Sequence, residues 1–211
     1  MPTSFARLVR DGEVDDFNRR VREYEEENDE LPSLQMEGFE DLELSGFDFS
    51  RIDFSYAEFA DCTLTDVRFD GANLDGAYLH GCTLVDCYFD DAQGGGLAIE
   101  NCTLSQCLFR GGEYADVEWT DTQFTECDFH GLRAEDGLFE RITVTEGNWT
   151  DVEVIDSELS MVKFRSVVFE DCDLSENDAR SCYVTGSDEA HGIELPDGFR
   201  VRSETRRRTL E

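Results

Sequence analysis

Large apolar side chains recur at every fifth position over most of this chain, from Phe39 to Val184. They fall on residue numbers ending in 4 or 9, where only Gly94, Ala134 and Ala179 are small. A second register lies two residues earlier and holds smaller apolar residues: Ala57, Cys62, Val67, Ala72, Ala77, Cys82 and Cys87. The positions between the two registers are mostly polar, so the pattern is a long tandem repeat.

A period of five fits neither regular secondary structure. A helix would rotate the apolar residue off any single face, and a two-residue alternation would place Phe49 and Phe54 on opposite sides of a sheet. Both registers point inward if the chain turns a corner every five residues. Four such sides make a coil of about 20 residues, and we expect about seven coils stacked as short parallel strands.

The repeats resemble the pentapeptide-repeat family, whose motif is a small residue, Asp or Asn, Leu or Phe, and two polar residues. The closest copies are residues 57–61, 72–76, 127–131 and 172–176. The resemblance implies an all-β solenoid, namely a right-handed quadrilateral β-helix of tandem pentapeptide repeats. It covers most of the chain, and the motif is specific because it persists through so many copies.

The two ends depart from the repeat and divide the chain into three parts. Residues 1–36 are expected to form a helical leader, because apolar residues recur at helical steps before a break at Pro32: Val14, Phe17, Val21 and Tyr24. Residues 37–186 form the predicted β-helix. Residues 187–211 are expected to form a C-terminal cap, with turn chemistry and His191, followed by a basic tail with Arg206, Arg207 and Arg208.

Irregular repeats suggest that core volume is exchanged between registers. Glycine in the small register accompanies an aromatic residue two positions later: Gly112 with Tyr114, Gly137 with Phe139 and Gly147 with Trp149. Such trades suit a close-packed interior. The run Gly94–Gly96 offers no core side chain and predicts a loosened corner. Leu97 and Ile99 stay in phase, so no net insertion is expected there.

The eight cysteines all fall in the small register, which favours packing over chemistry. They are Cys62, Cys82, Cys87, Cys102, Cys107, Cys127, Cys172 and Cys182. No C-x-x-C pair occurs, and the three histidines have no evident cysteine set around them. We therefore expect no metal site.

The chain is strongly acidic, with 50 Asp and Glu against 18 Lys and Arg and a formal net charge of -32. Such a field excludes non-specific nucleic-acid binding and leaves a protein with a basic surface, cations or a salty cytoplasm as its counterpart. There is no apolar run long enough to span a membrane, so no membrane association is expected. The first residues lack the apolar core of a secretory signal, which predicts a cytoplasmic protein.

The acidity is concentrated on the predicted rod and forms columns, because residues 20 apart stack on one edge. Residues 37–186 hold 34 acids and 8 bases, a net of -26. Over a rod of about 36 Å this is roughly 0.7 charges per Å, close to duplex DNA. The first predicted column is Asp116, Asp136, Asp156 and Glu176, flanked on the same side by Glu113, Glu135, Glu153 and Asp173. The second column is Asp66, Asp86, Glu126 and Glu146, interrupted by Gln106.

The sequence contains no phosphate loop, H-E-x-x-H motif or nucleophile elbow, so we expect neither an enzyme nor a cofactor. Within the pentapeptide-repeat family, the chain is similar to the quinolone-resistance group in length and acidic shaft. That resemblance implies a mimic of duplex DNA that binds a type II topoisomerase such as DNA gyrase. It also implies homodimerisation through the C-terminal region. No individual residue can be transferred from that group.

A second interpretation explains the same acidity by the solvent. Lys163 is the only lysine, and the leader, with a net charge of -5 in 36 residues, is nearly as acidic as the rod. Such a composition is typical of proteins adapted to a salty cytoplasm. The protein would then be a structural or scaffold repeat protein, and its charge would say nothing about a DNA-binding partner. The sequence leaves both interpretations open.

Overall fold

The computed structural model describes residues 4–28, 32–186 and 192–202. It contains four parallel β-sheets that surround one axis, and the strands of each sheet stack along that axis. The chain visits the four sheets in turn, so each circuit adds one strand to each of them. We call the sheets faces 1 to 4 in the order of these visits. The predicted right-handed quadrilateral β-helix is confirmed, with about eight turns instead of about seven.

Faces 1 and 2 are continuous from one end of the solenoid to the other. Face 1 consists of β1 (Gly38–Glu40), β3 (Glu58–Ala60), β5 (Tyr78–His80), β7 (Ala98–Glu100), β11 (Glu118–Thr120), β15 (Leu138–Glu140), β19 (Glu158–Ser160) and β23 (Asp178–Arg180). Face 2 consists of β2 (Glu43–Ser45), β4 (Thr63–Thr65), β6 (Thr83–Val85), β8 (Thr103–Ser105), β12 (Gln123–Thr125), β16 (Thr143–Thr145), β20 (Lys163–Arg165), β24 (Cys182–Thr185) and β26 (Phe199–Arg202).

Faces 3 and 4 begin as single β-bridges in the first coils and become strands later. Face 3 consists of β9 (Leu108–Arg110), β13 (Asp128–His130), β17 (Asn148–Thr150) and β21 (Val168–Glu170). Face 4 consists of β10 (Glu113–Ala115), β14 (Arg133–Glu135), β18 (Glu153–Ile155), β22 (Cys172–Asp173) and β25 (Ile193–Glu194). The first bridge joins Ser33 to Asp53, so stacking begins inside the predicted leader range.

Both apolar registers point into the solenoid, as the five-residue period predicts. Aromatic rings in the large register stack from coil to coil, as in Phe69, Phe89, Phe109 and Phe129, with centroids 5.0, 4.6 and 4.8 Å apart. Dispersion and burial along this continuous ladder stabilise the fold, since every coil covers the rings of the coil below. No helix among the described residues is long and apolar enough to cross a membrane.

The cysteines lie in the small register, and all eight are buried and free. Their thiols also donate weak hydrogen bonds to backbone carbonyls; Cys82 Sγ lies 3.2 Å from the carbonyl oxygen of Phe59. Thr122 occupies the same slot one coil after Cys102, and its hydroxyl donates to Ile99 O and Thr120 O. A small side chain with a donor hydrogen can therefore fill this slot and also bond to the backbone.

Gly94–Gly96 forms an ordinary corner, so the expected loosening is wrong. Leu97 N donates to Gly94 O at 3.2 Å, and Gly96 has a φ of +69°, the pattern of the type II turns at neighbouring corners. The missing side-chain volume is supplied one coil later. A Cβ on Gly94 would lie 2.6 Å from Cδ1 of Tyr114, whose ring is fully buried in that space.

The predicted volume trade holds at Gly137, where a Cβ would lie 2.8 Å from the Phe139 ring. At Gly112 a Cβ would meet both the Tyr114 ring at 2.9 Å and the backbone oxygen of Ala92 at 2.5 Å, so the aromatic ring is only part of the reason. Gly147 is different, because its Cβ would meet the backbone oxygen of Cys127 at 2.1 Å. The backbone approach, and not the bulk of Trp149, therefore excludes a side chain there.

In the part of the chain that the structure describes, two helices, not one, precede the solenoid and cover its N-terminal end. The predicted helix is α2 (Val14–Asn28), and the shorter α1 (Phe5–Arg10) packs beside it after an N-cap at Ser4. Phe17 of α2 is fully buried against Phe47 and Phe49, with ring centroids 5.4 and 5.3 Å away. The helices thus cover apolar rings that a bare end would expose to water.

Polar side chains from these helices bond to the first strands. The Asn18 side-chain amide donates to Gly46 O and accepts from Asp48 N, both at 2.9 Å. Arg10 donates from Nη2 to Gly38 O at 3.0 Å. Both contacts pair backbone groups that have no preceding coil to bond with.

At the other end, described residues of the predicted cap continue the stack. Ile193 pairs with Cys172, and Phe199 pairs with Cys182, which are offsets of 21 and 17 residues instead of 20. The altered offsets hide these strands from a five-residue pattern. The predicted basic tail with Arg206 to Arg208 lies outside the described residues, as does His191.

We predict that Gly147→Ala strongly destabilises the protein. Its φ of +95° and the approach to Cys127 O leave no space for a methyl group, so we expect a loss of about 3 kcal/mol in the free energy of unfolding. Gly38→Ala is the control, because nothing lies within 4 Å of its Cβ position. Denaturant titrations of both variants test this, and equal midpoints would contradict it.

Candidate protein-interaction surface

The first predicted column follows the corner between faces 4 and 1. Asp116, Asp136 and Asp156 have φ angles of 55°, 55° and 49°, and their side chains are exposed. The Asp116 N–H donates to Glu135 O at 2.9 Å, and the Asp136 N–H donates to Ile155 O at 3.2 Å. These bonds place each aspartate directly above the next, at about 4.8 Å per coil.

Glu176 ends this column with a shifted register. The Asp156 N–H donates to the carbonyl of Glu176 itself, whereas Asp116 donates to the residue before its stacked neighbour. The slip comes from the last corner, where Asn177 donates to both Leu174 O and Val154 O. Glu176 remains exposed, but it does not continue the straight line of the three aspartates.

The residues predicted to flank this column lie on face 4 around an arginine. The register runs Glu113, Arg133, Glu153 and Asp173. Arg133 Nη1 lies 2.5 Å from Glu135 Oε2, and its Nε lies 3.8 Å from Glu153 Oε2. At the end of the row, hydrogen bonds from Ser175 lower the pKa of Asp173. The flank is therefore a mixed cluster whose charge is partly neutralised.

The second predicted column follows the corner between faces 2 and 3 and keeps its register throughout. Its corner amides donate to carbonyls 19 residues later, from Asp66 N to Val85 O through to Glu146 N to Arg165 O. Gln106 fills the gap in the acids and donates from Nε2 to Glu126 Oε2 at 3.1 Å. The column consists of Asp66, Asp86, Gln106, Glu126 and Glu146. All five are exposed, and all have a left-handed backbone conformation.

The two columns lie at diagonally opposite corners of the square cross-section. One separates faces 4 and 1, and the other separates faces 2 and 3. A flat partner surface can therefore contact one column only. A concave surface that wraps around the rod is needed to contact both.

The left-handed backbone gives a local reason for aspartate at the corners. Among the described residues, twenty-two non-glycine residues have positive φ, and 11 of them are Asp. Asp and Asn adopt this conformation more readily than other side chains because their short polar groups bond locally. Glu126 and Glu146 have no such advantage, so backbone conformation does not explain their charge. The five-residue period predicts the columns but not this conformational reason, because a period carries no φ angle.

Several acids outside the columns have a cationic neighbour. Arg141 bonds to Asp121 and lowers its pKa, and Arg68, Arg110 and Arg180 pair with acids on faces 3 and 1. In contrast, none of the ion pairs among residues 4–28, 32–186 and 192–202 involves an acid of either column. The two columns are thus rows of exposed, unneutralised carboxylates on a rigid framework.

Comparison with known families and structures agrees with this architecture. Residues 62–139 match the pentapeptide repeat region, and residues 39–71 match pentapeptide repeats. No curated protein matches the chain in sequence.

Solved structures that are similar to the chain include three pentapeptide-repeat structures. A trypsin-treated form of QnrB1, a plasmid-mediated fluoroquinolone resistance protein, has 20% identity and a TM-score of 0.53, covering 81% of this chain and 91% of that one. Full-length QnrB1 has 19% identity and a TM-score of 0.48, covering 78% and 93%. HetL, a pentapeptide repeat protein involved in heterocyst differentiation regulation in Nostoc sp. strain PCC 7120, has 15% identity and a TM-score of 0.28, covering 78% and 92%.

We predict that the triple variant Asp116→Asn, Asp136→Asn and Asp156→Asn folds and is at least as stable as the parent protein. Asparagine keeps the left-handed corner, and the change removes repulsion between stacked charges. Any gain in melting temperature should be larger at 0.01 M than at 1 M salt, where the Debye length falls from roughly 30 Å to roughly 3 Å. Thermal melts followed by circular dichroism measure this, and a lower melting temperature at low salt would contradict it.

Proposed function

We propose that this chain, which is a pentapeptide-repeat protein, is a non-enzymatic rod that occupies the duplex-binding surface of a DNA-binding protein. The partner that we propose is a type II topoisomerase such as DNA gyrase. The observation that carries the proposal is the pair of unneutralised acidic columns on opposite corners of a straight rod. Duplex DNA likewise presents two rows of negative charge on a stiff axis.

Charge density supports this function. The rod carries roughly 0.7 negative charges per Å at about 4.8 Å per coil, comparable with duplex DNA. A saddle lined with Lys and Arg contacts both phosphate rows of a duplex, and such a saddle reaches both columns of this rod. Charge complementarity of this kind raises the association rate and makes binding sensitive to salt.

A cytoplasmic location and a homodimer are part of the same proposal. Eight free cysteines suit a reducing cytoplasm, where gyrase acts. Homodimerisation through the C-terminal region stays a prediction, and gyrase binding does not depend on it.

We predict that the purified protein inhibits gyrase supercoiling and that the Asp116→Asn, Asp136→Asn and Asp156→Asn variant inhibits it about tenfold less. Three exposed charge contacts at about 0.5 kcal/mol each account for that factor. The matched control is Asp91→Asn, Asp151→Asn and Asp171→Asn, with the same charge change at left-handed positions of another corner.

A second column variant completes the design, with Asp66→Asn, Asp86→Asn, Glu126→Gln and Glu146→Gln. If a saddle holds the rod, both column variants lose inhibition while the control does not. Loss by one column variant alone would indicate a flat partner surface. Equal inhibition by every variant would refute the columns as the contact surface, and no inhibition by the parent protein would refute gyrase as the partner.

The structural or scaffold interpretation has an observation of its own in favour. Exposed acids also cover the helical leader, which has a net charge of -5 and lies outside the rod. Adaptation to high salt explains acids on both parts, whereas DNA mimicry explains only those on the rod.

We predict that the protein stays folded at 0.15 M salt, where the Debye length is about 8 Å, because its apolar core is continuous from end to end. Circular dichroism during stepwise dialysis tests this. If the far-ultraviolet signal is lost at 0.15 M and restored near 1 M, self-repulsion controls the fold, and the high-salt interpretation is favoured over DNA mimicry.

A further inference from the structure

Face 2 differs from the other faces because its outward side chains are almost free of acid. β2 contributes Glu43, but the five following strands present hydroxyl, amide or apolar groups only. These outward residues are Thr63, Thr65, Thr83, Val85, Thr103, Ser105, Gln123, Thr125, Thr143 and Thr145. A side of this rod therefore has no negative charge over most of its length.

The C-terminal end of the same face is basic. Lys163 and Arg165 point outward from β20, and Arg200 and Arg202 point outward from β26, two strands further on. The register aligns Lys163 with Tyr183 and Arg200, and aligns Arg165 with Thr185 and Arg202. We call these four cations the basic frame. The Cα atoms of the two rows are about 9.6 Å apart, and the two Cα atoms within a row are about 7 Å apart.

The basic frame has no acidic partner in the described part of the chain. None of the ion pairs there involves its four members; Arg202 lies over the Tyr183 ring, 4.3 Å from the centroid. Residues 161–166, 181–186 and 199–202 contain four bases and no acid. In a protein with 50 acids, four unpaired cations on one rigid sheet mark a local reversal of charge.

We propose that the basic frame binds a compact oligophosphate, a short chain of phosphate groups that fits between its two rows. Arginine forks bind phosphate oxygens in pairs, and the lysine adds a point charge. The Tyr183 phenol and the Thr185 hydroxyl lie between the rows, within the area that the ligand would cover. The backbone of all three strands is fixed by the sheet, so binding does not have to order a loop.

The surroundings of the basic frame limit the size of its ligand. Glu146 lies on the corner one coil below, Asp178 lies on face 1 and Glu170 on face 3. A long nucleic acid would extend from the basic frame onto these acids and be repelled. A short oligophosphate can stay between the two rows and contact the four cations without extending onto these acids. Phosphate groups also place more negative charge in this area than the carboxylates of an acidic peptide.

Isothermal titration of the full chain with inorganic tripolyphosphate tests the proposal. We expect binding that weakens with added salt and that falls about tenfold in Arg200→Gln with Arg202→Gln, since two charge contacts are lost. Lys163→Gln with Arg165→Gln should weaken binding similarly, and it lies on an internal strand whose pairing is unaffected. The control is Arg68→Gln with Arg110→Gln, which removes the same charge on face 3 beside Asp70 and Asp90.

Three results would overturn the proposal. The first is no heat of binding with tripolyphosphate at low salt, for a parent protein shown to be folded by circular dichroism. The second is equal weakening by the face 3 control, which would mean that net charge and not the basic frame controls binding. The third is tighter binding of a short DNA duplex or of polyglutamate than of tripolyphosphate. None of these results depends on whether the acidic columns bind gyrase.

Discussion

The backbone hydrogen bonds between successive coils are the interaction on which the rest of this structure depends. A corner N–H donates to a carbonyl 19 residues later, as in Asp136 N to Ile155 O, and the strands pair residues 20 apart. This constraint places identical positions of the repeat directly above one another. Aromatic rings then stack in the interior, and carboxylates stack on the outside at the same spacing. The acidic columns and the apolar ladder thus have one geometric cause.

Much of this arrangement could be predicted from the chain because the period is regular. The inward registers, the slot of the cysteines and the vertical alignment of Asp66 with Asp86 all follow from counting by fives and twenties. Contacts across coils were harder to predict, since the Tyr114 ring fills the space above Gly94, 20 residues earlier. Strands β25 and β26 were missed because offsets of 21 and 17 break the count.

The surface was predicted less completely than the core. Counting residues in steps of 20 finds the acids of a column, but it does not show which side chains pack beside them. Arg133 neutralises Glu135 although both lie in the predicted acidic region. The diagonal arrangement of the columns and the neutral character of face 2 both need the order of faces around the axis. Three aspartates of the first column also have a conformational reason for their identity, because they occupy left-handed corners. Glu126 and Glu146 are therefore the more informative acids about a partner.

The side-chain amide of Asn18 has a consequence for self-association. A β-helix is open at its ends, where unpaired strands offer a template for the strands of another molecule and so for end-to-end filaments. Asn18 bonds to both Gly46 O and Asp48 N, Arg10 occupies Gly38 O, and Phe17 covers the rings beneath. A second molecule would have to displace both helices before its strands could pair there. The leader thus limits polymerisation from this end and keeps the length of the rod set by its own sequence.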